Sequence, residues 1–393
     1  RLMALQSKHY DVVVIGAALV GASAAVGLAK QGFKVALIDI KAPSFPSADP
    51  EVWDSRIYAI SPGNVDWLGQ IGVWEHINQA RLTAIAGMHV WADANSPHLS
   101  FDAADAHLEN LGVILENSCL HQALWDELKS LDVDVMLDVQ CADIDFGLQA
   151  VTIRMMNGTS LSAQLIVAAD GGNSWVRSQA ALGVQKKVYE HVGVVANFEV
   201  ELPHQNVARQ WFVEDGILAW LPLPGNRISM VWSTKDAQHL MQLSPEDLCQ
   251  SVAQAGCFKL GQMKLITPPL AFPLVKQNAN SIIANRLALV GDAAHQVHPM
   301  AGQGVNLGFR DVVELVQVLS DRHPLADIGD RFLLRRYERA RKTDVLAMQG
   351  LTHGLYEAFD SKQALVKTLR EWGLALPNQL PGFKKQLMKH ALI

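Results

Sequence analysis

Cysteine is scarce. The 393 residues contain four, Cys119, Cys141, Cys249 and Cys257, with neither C-x-x-C spacing nor the density of a secreted disulfide scaffold, so a reducing cytoplasm is expected. Charge is also sparse, at 18% of residues, and 33 Lys+Arg against 39 Asp+Glu leave a net −6. Nothing global advertises a nucleic-acid partner. No His, Cys and carboxylate set has metal-ligand spacing, and no hydrolase triad stands out, so neither a metal site nor a side-chain nucleophile is expected. Internal repeats and low-complexity tracts are missing as well. What is plentiful is apolar: 49% of residues are hydrophobic, which excludes a disordered chain and supplies a large core. At about 150 residues per domain, the length suggests two to three domains.

One run tests the cytoplasmic reading. Val12 to Ala29 is 18 residues without a charge, long enough for a membrane span or a signal-peptide core. Asp11 abuts it, Val12 to Ile15 are β-branched, and Gly16, Gly21 and Gly27 interrupt it. Strand, turn and buried helix fit that pattern better. Tyr10–Ile15, Val20–Gln31 and Phe33–Asp39 then read as a βαβ unit, because uninterrupted apolar strands suit a parallel sheet covered on both faces. Helices are expected over Pro62–Gln79 and Asn117–Leu131, and strands over Ala84–Ala92 and Leu161–Ala168. From His191 to Ser233, strand-like runs at His191–Val200, Val207–Val213, Gly216–Leu221 and Arg227–Ser233 are divided by Pro, Gly and Asn, which predicts an antiparallel sheet. A Pro-rich connection, Thr267–Pro273, leads to another buried strand, Arg286–Val290, and a helical region begins near Asp330.

Three turns carry the chemistry. Gly16-Ala17-Ala18-Leu19-Val20-Gly21 follows the first strand as a dinucleotide-binding turn would, with the helix N-terminus offering N–H groups and a positive dipole end to phosphates. Ala18 departs from that pattern, where a glycine lets the backbone approach the pyrophosphate. Asp39, at the end of the second strand, occupies the place of a ribose-binding acid. Asp170-Gly171-Gly172 ends a later strand, with Ser174 and Arg177 on the helix that follows. Gly291-Asp292 ends another and runs on through His295, His298, Pro299, Gly302, Gln303, Gly304, Val305 and Asn306 to Gly308. An acid followed by a glycine-rich helix start suits a polyol hydroxyl and then an electron-rich ring edge.

With these motifs, together with Arg56 to Ser61, Leu68 to Trp74, Glu116-Asn117-Ser118 and Arg336 to Arg339, the chain resembles the FAD-dependent aromatic hydroxylases of the para-hydroxybenzoate hydroxylase fold, within their ubiquinone-biosynthesis branch. The resemblance spans nearly the whole chain. It implies an α/β fold, an FAD-binding Rossmann-like domain (1–83, 102–186 and 276–345) interrupted by a β-rich substrate domain (84–101 and 187–275), with a helical C-terminal region (346–393). It further implies that Gly16, Ala18, Gly21 and Asp39 hold the ADP half of FAD, that Arg56 lies beside the cofactor, and that Asp170 and Gly171 border the pyrophosphate and the NAD(P)H approach. Asp292 would bind the ribitol, and the backbone after Gly302 and Gln303, at Gly304, Val305 and Asn306, would face the flavin pyrimidine. Asn117 stands where many aromatic hydroxylases outside this branch carry an arginine. The implied reaction consumes NAD(P)H and O2 to hydroxylate a polyprenylated phenol. Two alternatives stay open: a same-fold hydroxylase of a small soluble aromatic, and a non-hydroxylating flavoprotein or assembly component, the latter kept alive by Ala18.

Plainer readings stand beside these. His298, next to Pro299, is an acid–base candidate or a structural histidine, and His295 reads as structural. Trp211, Trp220 and Trp232 could line a pocket, but strand alternation favours core packing for at least two. Arg335, Arg336, Arg339, Arg341 and Lys342 read as a solvated helix face rather than a nucleic-acid site. The tail is an electrostatic object of its own: Ser361–Ile393 holds Lys362, Lys367, Arg370, Lys384, Lys385 and Lys389 against the single acid Glu371. Two readings of the tail stay open: it meets an anionic membrane surface or a ubiquinone-biosynthesis complex, which would place the cytoplasmic protein at the periphery of the inner membrane, or it is a helix that packs on its own domain or a partner protein with its lysines merely solvated.

Overall fold

The computed structural model describes residues 7–43, 45–91, 98–214, 216–297 and 304–357. Apolar strands build an eight-stranded sheet from β1 (Lys8–Ile15), β2 (Val35–Ile38), β8 (Val133–Met136), β9 (Cys141–Phe146), β10 (Val151–Met155), β11 (Ser160–Ala168), β18 (Ile283–Ala284) and β19 (Leu287–Leu289). The main path runs β18-β19-β11-β1-β2-β8, with β19, β11, β1, β2 and β8 all parallel. Val12, Val13, Val14, Leu37 and Ile166 have no exposed surface, as strands covered on both faces require. On one face lie α1 (Leu19–Lys30), α3 (Asn117–Leu128) and α7 (Gly304–Ser320), whose Leu28, Leu124 and Leu315 share a core with Val14 and Leu37. Burying each such leucine contributes about 1.5–3 kcal/mol.

A nine-stranded sheet is assembled from β5 (Gly87–Trp91), β6 (Leu99–Asp102), β12 (Val184–Val200), β13 (Val207–Val213), β14 (Gly216–Leu223), β15 (Arg227–Thr234), β16 (Met263–Leu265), β17 (Leu270–Ala279) and β20 (His295–Gln296). Its path is β20-β17-β12-β15-β14-β13-β5-β6. The sheet is mixed rather than purely antiparallel, because β13 pairs with β5 in parallel. The segment expected to be a Pro-rich connection supplies the start of β17: Pro273 lies opposite Val192, beside a register shift, while β20 reaches β17 only at Gln277 and Asn278. Proline is tolerated in a strand at such an unpaired stretch. One face is covered by α5 (Ala237–Gln242) and α6 (Pro245–Ala255), which bury Trp211, Trp220, Leu218 and Met230.

A small sheet of β3 (Ile57–Ile60), β7 (Val113–Glu116) and β4 (Thr83–Ala84) links the two larger ones. The helix expected over Pro62–Gln79 is shorter: α2 (Pro62–Gln70) stops before Gly72, whose φ of +80° ends it in the left-handed region. The short helix α4 (Trp175–Gln179) follows the Asp170 turn, and α8 (Arg331–Glu357) runs uninterrupted for 27 residues. Arg341 corrects the solvated-face reading of that helix. It is 2% exposed and faces α7, whereas Arg335, Arg336, Arg339 and Lys342 are exposed, because the helix must turn one stripe inward.

Candidate functional site

Four parallel strands stop in register. Leu289 lies beside Ala168, Ala168 beside Ile15, and Ile15 beside Ile38. The turns that leave these strands therefore share one rim, bringing together Asp292, Asp170, Gly16 and Asp39 although 276 positions separate the first of them in sequence from the last. The carboxyl edge of a parallel sheet is where such folds place ligands.

At the glycine turn, Gly16 has φ +104°, and a Cβ there would lie 2.2 Å from the Ala169 carbonyl oxygen. Gly21 is equally closed, with its Cβ position 1.7 Å from the Gly16 oxygen. Ala18 has φ −74° and ψ −166° and is exposed, so the missing middle glycine costs the turn no strain. The first intrahelical bond, Ala22 N–H to Ala18 C=O, leaves the Leu19, Val20 and Gly21 amides at the positive end of α1. Asp39 does more than the sequence suggests: its Oδ2 accepts the Ala17 N–H at 2.7 Å and its Oδ1 the Lys41 N–H at 3.1 Å. Lone pairs remain for a sugar hydroxyl. On the other side, buried His121 of α3 lies 2.7 Å from the Ala17 carbonyl through Nε2. Burial pushes its pKa down, against the pull of Ala17 and Asp39, and keeps it a neutral donor.

Asp170 is occupied by its own turn. Its carboxylate accepts the Ser174 hydroxyl and, at 3.1 Å, the Val176 N–H. Arg177 is buried and ties that turn to the next, donating to the carbonyls of Gly172 and Ala293, each at 2.9 Å. Gly171, at φ +86°, has nothing near its Cβ position.

The Asp292 turn rests on a side chain that sequence reasoning passed over. Asp311 of α7 is fully buried. Its Oδ2 accepts the Gly291 N–H at 2.9 Å and meets His295 Nε2 at 2.7 Å, and its Oδ1 accepts Arg341 Nε at 2.6 Å. His295 is thus structural, as expected. Asp292 itself is exposed, yet the protein around it dehydrates its carboxylate and raises its pKa, while the nearby His295 lowers it and Asp311 raises it further. A dehydrated acid beside open space suits a hydroxyl donor.

The α7 start is held by Asn306, whose Oδ1 accepts the Ser61 N–H at 3.0 Å and Asn64 Nδ2 at 2.9 Å while its Nδ2 donates to Ala59 at 2.7 Å. That consumes the side chain and leaves the helix-start backbone of Gly304 and Val305 at the rim. A Cβ on Gly308 would lie 2.6 Å from Val20, so α7 crosses α1 closely. Arg56 is exposed, and its carbonyl accepts the Asn117 N–H at 2.9 Å. Tyr58 feels the charges of both Arg56 and Asp292, which puts that strand near the Asp292 turn. His298, Pro299, Gly302 and Gln303 lie outside the described residues, as does the basic tail from position 358. Trp211 and Trp220 are core residues at 1% exposure, and half-buried Trp232 packs against the same cluster. None of the four cysteines is in a disulfide, and burial with the Glu116 charge pushes Cys119 up to about 12.

The rim fits FAD: two closed glycine positions, a free helix start, and acids at two strand ends spaced along one edge. The family model described as FAD binding domain matches residues 9–349. At 33% identity over 97% of this chain and 98% of the relative, the sequence is similar to the 3-demethoxyubiquinol 3-hydroxylase of Escherichia coli. The chain belongs to the FAD-dependent hydroxylase family of ubiquinone biosynthesis. Ubiquinone hydroxylase UbiL of Rhodospirillum rubrum is 33% identical over 98% of the chain and 90% of its own length. The human ubiquinone biosynthesis monooxygenase COQ6 is 30% identical over 97% and 92%. The fold is that of PqsL from Pseudomonas aeruginosa, with a TM-score of 0.76 at 20% identity over 92% of this chain and 99% of that one, and of HpxO from Klebsiella pneumoniae complexed with FAD, 0.74 at 18% over 98% and 100%. The protein is an FAD-dependent monooxygenase. No helix among its described residues is long and apolar enough to cross a membrane.

Proposed function

We propose that this FAD monooxygenase takes electrons from NAD(P)H and uses O2 to hydroxylate the ring of a polyprenylated phenol or benzoquinol. The observation that carries the reading is the in-register ending of β19, β11, β1 and β2, which lines up Asp292, Asp170, Gly16 and Asp39 on one edge. When bound, FAD supplies the redox chemistry that side chains cannot.

The chain's own residues bind and orient. Asp39 and the α1 start would hold the ribose and phosphates, with Gly16, Ala18 and Gly21 giving the backbone its close approach. Asp292 would accept from the ribitol. Arg56 and Asn117 would flank the cofactor, and Asp170 with Gly171 would form the border nearest the NAD(P)H approach. The α7 start, Gly304 to Asn306, would aim backbone N–H groups at the ring edge where negative charge develops, which needs no ionisable side chain, and Gly302 and Gln303, just before it in sequence, are proposed to bind the cofactor with it. His298 and Pro299, earlier in the same sequence run, are proposed as the catalytic residues.

The basic tail is proposed to bring the protein to an anionic membrane surface, where a polyprenyl substrate dissolves. Each Lys or Arg near such a surface contributes about 1 kcal/mol.

The test is a spectrum of purified protein, then anaerobic NAD(P)H, then air with a short-chain prenylphenol. Flavin bands that bleach with NAD(P)H, followed by a ring product carrying one added oxygen, support the reading. Bleaching with product only from small soluble aromatics would move the substrate class, and a protein that cannot be loaded with FAD would overturn the reading.

A further inference from the structure

We infer that Gln210 is a specificity-determining residue, its side-chain N–H donating to a ring oxygen of the substrate. The inference rests on the hydroxylase reading above and deepens it.

The register of the nine-stranded sheet sets one row across five strands: Gln210 beside Ala219, Ala219 beside Val231, Val231 beside Val195, and Val195 beside Leu270. Directly paired residues share a face. This is the face opposite α5 and α6, since neighbours two residues away, Ala208 and Phe212, pack with Ala59 and Ile114 of the linking sheet and with Trp53 just before it. It is therefore the face turned toward the cofactor rim, which Asn197 also joins by donating to the Asp54 carbonyl at 2.8 Å. Part of the row is uncovered: Val231 and Val195 are half-buried, and Leu270 is 46% exposed. The next row ends in half-buried Phe272, whose ring lies against Gly193.

At the closed end of this apolar floor sits Gln210, 3% exposed, with no partner for Nε2. A buried amide N–H left unmet is costly. Trp211, Trp220 and Trp232 also carry unpartnered indole N–H groups, but they lie on the face that α5 and α6 cover, away from open space. Gln210 alone of these four adjoins a floor on which a flat ring could lie. Its amide is neutral, so it would recognise a phenolic or quinol oxygen by hydrogen bonding, while Val231, Val195 and Leu270 meet the ring carbons. A site built around such a donor rejects the analogue that lacks the oxygen.

The experiment measures binding of a short-chain 2-prenylphenol and of prenylbenzene, which lacks the hydroxyl, to FAD-loaded full-length protein, by perturbation of the flavin spectrum. Wild type should prefer the phenol by about 10- to 100-fold. Gln210→Leu and Gln210→Met should lose that preference, bind prenylbenzene at least as well as wild type, keep full FAD content, and melt at a higher temperature because the unmet donor is gone. Folded variants that keep the full preference would overturn the role of Gln210 and leave the hydroxylase reading standing. A wild type that binds both rings equally would overturn it too. A wild type that binds neither ring would sink the ring-substrate reading, and this inference with it.

Discussion

The two large sheets of this protein differ in how completely they satisfy themselves. In the eight-stranded sheet the central strands β1, β2, β11 and β19 bury apolar side chains on both faces where they pair, and no buried side-chain polar atom on any strand of the sheet lacks a partner among the described residues. On the nine-stranded sheet five such atoms do: Asn197 Oδ1, Gln210 Nε2 and the indole nitrogens of Trp211, Trp220 and Trp232. The first sheet is a finished scaffold whose turns present backbone. The second keeps unmet polar groups, two of which, Gln210 Nε2 and Asn197 Oδ1, lie on the face turned toward the rim, where Gln210 borders the open floor and a ligand would complete its set. Scaffold and recognition surface are thus separated, with consequences that mutations can test.

The largest effect is expected at Gly16. Gly16→Ala puts a methyl against the Ala169 carbonyl in the left-handed region, which should cost about 3 kcal/mol or more and abolish FAD retention. Gly256→Ala, whose Cβ would lie 2.2 Å from the Trp220 ring, should cost about 1–3 kcal/mol of stability yet leave FAD affinity intact once folded. Thermal melts and FAD titration separate the two, and equal loss of FAD would break the division between the sheets.

Next come the acids of the rim. Asp39→Ala and Asp292→Asn should each weaken FAD binding by about 10- to 100-fold, the worth of a charge-assisted hydrogen bond. Asp292→Asn should leave the apoprotein at least as stable, because dehydration already disfavours the Asp292 carboxylate. Wild-type affinity in both variants would overturn the assignment.

The pH dependence of stability should follow two buried groups of the scaffold side. His121 has a lowered pKa in the folded chain, chiefly by burial, so the unfolded chain binds more protons and stability falls as pH drops below about 6.5. Burial alone would raise Glu127, but hydrogen bonds from Lys30 and His76 outweigh it and lower its pKa. Its contribution is present above about pH 4.3 and is lost as pH falls through the lower folded value. Denaturant melts from pH 7.5 to about 2 should show both limbs, and His121→Gln should reduce only the first, to which buried His204, lowered in the same way, also contributes.

The smallest effect is expected at Ala18. Its φ of −74° suits any L-residue, so Ala18→Gly relieves no strain and should shift FAD affinity by less than about 0.5 kcal/mol. A clear loss would show that the methyl contributes contact, and a gain above tenfold that it holds the phosphates away.

The βαβ unit, the acids at strand ends and the glycine turns were legible from local sequence, because parallel strands need uninterrupted apolar runs and a tight turn needs glycine. Pairing was not. The parallel docking of β5 on β13, and Pro273 inside β17, depend on which strand lies alongside, and a partner 120 residues away, as Gly87 is from Val207, or 81, as Val192 is from Pro273, leaves no local mark. The same holds for the site's supports. Asp311 reads in sequence as one more polar helix residue, and Arg341 as part of a solvated basic face. Only the crossing of α7 and α8 over the Asp292 turn buries both and makes each the other's counter-charge. Gln210 shows the same limit, since strand alternation cannot say which face a helix pair will cover. Composition and turn chemistry by themselves determined that a dinucleotide-type rim would form. Tertiary packing alone decided which polar side chains would be spent holding that rim and which would be left unmet, because burial and partnership belong to pairs of distant segments.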